Sequence, residues 1–136
     1  MLPLFEPEPP NLEQLHAKLV LVHFIASWCA PCREELASVA DFHAGPYRQL
    51  AERGLAVIVV SNDARPGDLA ELLETEPVPF PVFLDSLGEM HTELGLYGLP
   101  ATAAIDAEGR VVKRWIGPQD WVGKEFLASL ERQLER

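Results

Sequence analysis

Apolar positions along the chain fall into two rhythms, and the boundaries between them outline the elements. From Lys18 to Ala26 the residues are near-continuous Leu, Val and Ile, the pattern of a central strand buried on both faces rather than one that alternates. His23 is the one polar side chain within that apolar strand. Ala56 to Ser61 repeats the pattern as a second buried strand, and Val82 to Leu84 is short enough to be a third. Thr102–Ile105 and Val111–Ile116 read as an antiparallel hairpin joined by the turn Asp106-Ala107-Glu108-Gly109. Helical patterning fills the intervals. A helix is expected from about Cys32, faltering at Gly45-Pro46 because proline removes a backbone donor, then resuming from Tyr47 to Arg53 with Gly54 as its stop. Pro66–Thr75 and Gly88–Leu94 are further helices. Pro77, Pro79 and Pro81 force extended backbone between them. From Asp120 onward Val122, Phe126, Leu127, Leu130 and Leu134 recur at helical spacing. Asn11 is placed to cap a short helical turn through Leu15.

The order β-α-β-α-β-β-α predicts an α/β protein with a mixed central sheet and helices on both faces. Residues 1–10 hold four prolines and two glutamates and read as an extended tail or tether, leaving 11–136 as one domain. The longest apolar run, Leu19 to Ala26, has the length of a strand, far short of the ~20 residues of a membrane helix, and no signal-peptide core is visible. With 21 acidic against 11 basic residues the net charge is −10, so a phosphate backbone would be repelled and nucleic acid is not an expected partner. Evenly spread acidity accounts for solubility without a docking role.

The chemistry is concentrated in two cysteines. Cys29 and Cys32 are spaced C-x-x-C, a loop too short to staple a fold usefully, which leaves redox chemistry or metal binding. A closed zinc site wants four ligands, and no second cysteine pair or paired-histidine spacing exists, so no metal is expected. His16, His43 and His91 show no ligand spacing either. Cys29 lies where strand gives way to helix, facing unpaired N–H groups and the positive end of the helix dipole, both of which favour a thiolate. Cys32 follows one helical turn later, on the same face and within disulfide reach. Position therefore assigns Cys29 as nucleophile and Cys32 as the thiol that resolves a mixed disulfide. Trp28 is expected to wall the pair, and Pro31 is tolerated in the first helical turn.

The run Trp28-Cys29-Ala30-Pro31-Cys32, with Leu99-Pro100 some seventy residues later, resembles the thioredoxin superfamily. Within it, Ala26 to Leu36, Phe80 to Asp85, Tyr97 to Thr102 and Ile105 to Val112 resemble the TlpA, ResA and DsbE (CcmG) type. The resemblance covers roughly residues 11–136 and implies a thioredoxin-like fold. It also implies a cis Leu99-Pro100 peptide packed against the disulfide and offering backbone groups to an extended substrate, so Leu99, Pro100, Trp28 and Pro31 are its substrate-binding residues. Members of this type work outside the bacterial cytoplasm, anchored or secreted, which implies an extracytoplasmic location here. Glu35, one turn after Cys32, matches an acidic residue that the type uses to tune the cysteines; the competing reading is a solvated first-turn glutamate. His23 stands where thioredoxins carry a buried aspartate and this type more often an asparagine. It is either a general base for Cys32 or a buried histidine satisfied by a backbone hydrogen bond. Further departures are the missing N-terminal β-hairpin, the insertion around Gly45-Pro46, and Ala37 in place of a helix-kinking proline.

These readings give a thiol:disulfide oxidoreductase with no bound cofactor. Its expected partners are protein disulfides and an upstream thiol donor, which in this type can be membrane-embedded, and the chain is expected to work as a monomer. Ala30-Pro31 lacks a basic residue that would strongly stabilise the thiolate, so a reductant is expected rather than an oxidant. The alternatives are a non-catalytic partner-binding domain on the same fold and a peroxide-reducing relative, whose cysteine usually follows Thr-x-x where Ser27-Trp28 stands here.

Overall fold

In the computed structural model, which describes residues 4–135, five strands form one sheet in the order β3-β2-β1-β4-β5. The strands are β1 (Leu19–Ile25), β2 (Leu55–Ser61), β3 (Val82–Leu84), β4 (Ala101–Asp106) and β5 (Val111–Ile116). Helices α1 (Ala30–Ala44), α2 (Tyr47–Glu52), α3 (Pro66–Thr75), α4 (Glu89–Glu93) and α5 (Lys124–Leu134) connect and cover them, after a 3-10 turn at Leu12–Leu15. β1 pairs in parallel with β2 and antiparallel with β4, so it lies at the centre of a mixed sheet and all seven of its residues are buried. That position is why its sequence does not alternate: both faces need apolar cover.

The two faces are covered unequally. Leu19, Leu21 and Ile25 share a core with Val39 and Phe42 of α1, Leu69 of α3, and Phe126, Leu130 and Leu134 of α5. The opposite face, with Val20, Val22, Phe24, Val60 and Ala103, is closed by Met90 of α4, Leu96 and the Leu12–Leu15 turn. Asn11 caps that turn by accepting a hydrogen bond from the Glu13 N–H. Gly54 leads into β2 at φ 107°, where an added Cβ would stand 2.7 Å from the Cβ of Lys18, so only glycine fits this approach to the start of β1.

The structure departs most from the sequence reading at three places. α1 begins at Ala30 rather than near Cys32, because Cys29 serves as its N-cap and Pro31 is accommodated in the first turn, where no intrahelical N–H is required. α5 begins at Lys124 rather than Asp120: the Asp120 carboxylate accepts the Val122 N–H in a tight turn, which leaves Val122 40% exposed and outside the apolar stripe. The stretch expected as a tail is held at its described end. Glu6 bridges Phe83 beside β3, donating to the Val82 carbonyl at 2.9 Å and accepting from the Leu84 N–H at 2.8 Å, while Phe5 packs on the core. Residues 1–3 of that stretch lie outside the described residues.

Candidate active site

The cysteines sit at the mouth of β1, where the chain turns from the sheet into α1. Cys29 donates its N–H to the Ala26 carbonyl at 3.1 Å, and its Sγ accepts the Cys32 N–H at 3.2 Å. Sulfur thus fills the place that a serine or aspartate oxygen fills at an ordinary N-cap. Cys29 and Cys32 are joined as a disulfide, with Cα atoms 5.2 Å apart, and are 5% and 1% exposed. Trp28, immediately before them, is 69% exposed, so its ring projects from the surface beside a nearly buried disulfide.

Two anchors hold this loop. The Asp63 carboxylate, fully buried just beyond β2, accepts the Ser27 N–H at 3.0 and 3.1 Å, the Ser27 hydroxyl at 2.6 Å and the Ser61 hydroxyl at 2.7 Å. The Arg33 guanidinium, from the first turn of α1, donates back to the Ser27 carbonyl. The sequence reading missed Asp63. Its only trace there is an acidic residue two positions after a strand-ending serine, a pattern that surface loops share.

Across the sheet end, the Leu99-Pro100 peptide is cis, and Leu99 packs partly buried against the core cluster that contains both cysteines. The Pro100 carbonyl accepts the Gly117 N–H at 2.9 Å, and the Gly98 carbonyl lies 2.9 Å from Nε2 of His91. Leu99 is left between them with no hydrogen bond to its own N–H or C=O among the described residues.

Below the disulfide lies a second group of predicted residues. The β1–β4 register pairs His23 directly with Thr102, and the imidazole Nδ1 is 2.9 Å from the Thr102 hydroxyl. The other ring nitrogen, Nε2, is 3.1 Å from Oε1 of Glu35, with both side chains fully buried. The two atoms are too far out of line for a hydrogen bond, and neither has another partner, so this is a close polar contact sealed in the core. Oε2 of Glu35 accepts the Gln119 N–H at 2.8 Å and the Trp121 indole N–H at 3.2 Å. Trp121 is completely buried, edge-on to His23 at 5.0 Å between ring centroids.

This geometry corrects two expectations. Glu35 is not a solvated first-turn glutamate, because Cys32, Glu35, Val39 and Phe42 form the buried stripe of α1 and carry it inward. His23 is buried, but its nitrogens face the Thr102 hydroxyl and the Glu35 carboxyl group rather than a backbone group. Trp121, Gln119 and Thr102 were missed: Trp121 closes on Glu35 across 86 positions of sequence, and only the tertiary fold brings the two together.

Comparison with known proteins bears on the same region. The AhpC/TSA family model matches residues 2–114. The chain is 27% identical over 126 residues to thiol-disulfide oxidoreductase ResA of Bacillus thuringiensis subsp. konkukian, covering 93% of this chain and 67% of that one. It is 36% identical over 108 residues to the thiol:disulfide interchange protein DsbE of Allochromatium vinosum, covering 78% and 55%. A solved structure named as a thiol:disulfide interchange protein DsbE, from Chlorobium tepidum, superimposes with a TM-score of 0.78 at 27% identity, covering 90% of this chain and 84% of that one. The chain spans between 55% and 67% of the length of the curated relatives it matches. A family match across most of its length, joined to the mixed sheet that it shares with these relatives, shows that the chain belongs to the AhpC/TSA family and has a thioredoxin-like fold.

Proposed function

We propose that this protein is a thiol:disulfide oxidoreductase that reduces protein disulfides through Cys29 and Cys32. The observation that carries this reading is the disulfide at the N-terminus of α1, with Cys29 Sγ on the Cys32 N–H. In the reduced protein that N–H and the helix dipole favour a thiolate at Cys29, the form that attacks. The names of the matched relatives support the same chemistry.

The exchange runs in two steps. Cys29 thiolate attacks one sulfur of the substrate disulfide, forming a mixed disulfide and releasing the other substrate sulfur as a thiolate that takes up a proton. Cys32, deprotonated, then attacks Cys29 Sγ, closing the Cys29–Cys32 disulfide and releasing the second substrate thiol. Two electrons pass from the dithiol to the substrate, and an upstream thiol donor must return them. Trp28 and Pro31 border the site, and Leu99 offers an unoccupied backbone N–H and C=O beside Pro100 to an extended substrate segment. Glu35 tunes the cysteines from one turn below Cys32. The likeness to the TlpA, ResA and DsbE type supports work outside the cytoplasm; no described helix is long and apolar enough to cross a membrane. The chain acts as a monomer, and residues 11–136 are its working domain.

Equilibration with glutathione followed by alkylation of free thiols tests the direction. A reductant gives a potential well below about −200 mV, while a value near the −120 mV of strong oxidants would overturn the direction. Catalysed reduction of a model protein disulfide should vanish in Cys29→Ser. A parent protein that catalyses no such reduction would leave a partner-binding domain as the better reading, and consumption of peroxide in its place would favour a peroxide-reducing enzyme.

A further inference from the structure

The buried contact between His23 and Glu35 is unusual because its two facing atoms, Nε2 and Oε1, have no hydrogen-bond partner at all in a region with no measurable exposure. An ionised carboxylate sealed in such a place is costly unless an opposite charge or a shared proton compensates it. The groups facing the pair are few. Thr102 from β4 meets Nδ1, Gln119 and Trp121 from the segment after β5 meet Oε2, and Cys32 precedes Glu35 by one turn on the same buried stripe of α1. No Lys or Arg nitrogen comes within 4.0 Å of Glu35 among the described residues, so His23 is the one basic side chain in contact with it there. On the far side, Pro31, Glu34, Ser38, Pro118, Gln119 and Asp120 line a shallow surface cleft that reaches Glu35, with Glu34 and Asp120 as its charged groups.

We propose that His23 is a positioning residue of the redox site: its close contact with Glu35, one helical turn from Cys32, sets from β1 the polar environment that Glu35 presents to the resolving sulfur. The Thr102 hydroxyl fixes the ring, and the two N–H donors on Oε2 fix the carboxylate, so the Nε2–Oε1 contact is held from both sides. His23 acts through Glu35 and not on sulfur.

This inference rests on the oxidoreductase reading above, but its test needs no substrate. In the reduced protein, thiolate absorbance and alkylation rate are followed against pH for the parent, His23→Asn, Glu35→Gln and the double variant. Removing the imidazole leaves Glu35 as a lone negative charge near Cys32, so His23→Asn should raise the Cys32 titration midpoint by about one unit. In the Glu35→Gln background the same change should do nothing. An equal shift in both backgrounds, or no shift in either, would overturn the proposal, the first because His23 would then act without Glu35. Should His23→Asn fail to fold, the unaltered protein decides: the imidazole 15N shifts of His23 must change when the disulfide is reduced, and unchanged shifts would sink the idea. A protein that shows these couplings yet reduces no disulfide would refute the proposed function and leave the pairing intact.

Discussion

Replacing Glu35 by leucine isolates what the buried carboxylate contributes to the fold. Leucine is of similar size and leaves no large void, so the change is chiefly one of hydrogen bonding. It removes the acceptor from the Gln119 N–H at 2.8 Å and the Trp121 Nε1–H at 3.2 Å, and takes away the polar atom that faces the buried His23 Nε2 at 3.1 Å. An orphaned buried donor costs roughly 1–3 kcal/mol, and removing one partner of a buried pair about 3–5 kcal/mol. Gln119 is only part-buried beside the surface cleft, so water can reach its N–H and the lower end applies. A loss of about 3 kcal/mol follows. Glu35→Gln keeps an acceptor for both donors and should cost about 1 kcal/mol. Urea unfolding of the oxidised protein reads this directly: with a slope of ~2 kcal/mol/M, the leucine variant should unfold at about 1.5 M less urea. If leucine proved as stable as the parent, or no worse than glutamine, the desolvation of the carboxylate would outweigh its bonds and the reasoning would fail.

Three more changes probe other parts of the structure. Asp63→Ala removes the acceptor of the Ser27 N–H and of the Ser27 and Ser61 hydroxyls; thermal unfolding should show a loss of about 2–3 kcal/mol, and limited proteolysis should cut nearer Trp28. An unchanged melting temperature would mean that Arg33 alone holds the loop. Gly54→Ala must open the 2.7 Å approach to Lys18 and strain a φ of 107°, for which we expect a loss above about 1 kcal/mol, seen as a melting temperature lower by several degrees. In the β4–β5 hairpin, the Arg110 backbone N–H holds the Asp106 carboxyl below its ordinary value against a smaller opposing effect of burial, with the Arg110 side chain assisting. A carboxyl whose folded pKa is depressed stabilises above its unfolded value of about 3.9 and loses that contribution as pH falls through the folded value. Asp106→Asn should therefore melt below the parent at neutral pH, and the gap should close in the acid range below about pH 4; a gap that persisted there would contradict the assignment.

The sequence by itself determined the sheet and the redox pair, because both depend on local pattern. Continuous Leu, Val and Ile marks a strand buried on both faces wherever the chain runs. C-x-x-C at the junction of strand and helix brings two sulfurs within bonding distance through helical geometry alone. Proline and glycine likewise located the break at Gly45-Pro46 and the stop at Gly54, since their constraints belong to single residues. Tertiary structure decided the rest. Glu35 could be read as solvated until the Val39–Phe42 stripe of α1 turned it toward β1, and the partner of His23 stayed open until the strand register set it against the Thr102 hydroxyl. Asp63 and Trp121 carried no motif at all. Their roles arise from carboxylate and indole groups meeting partners 36 and 86 positions away. Hydrogen bonds at such separations depend on how strands and helices pack in three dimensions, and no periodicity along the chain encodes them.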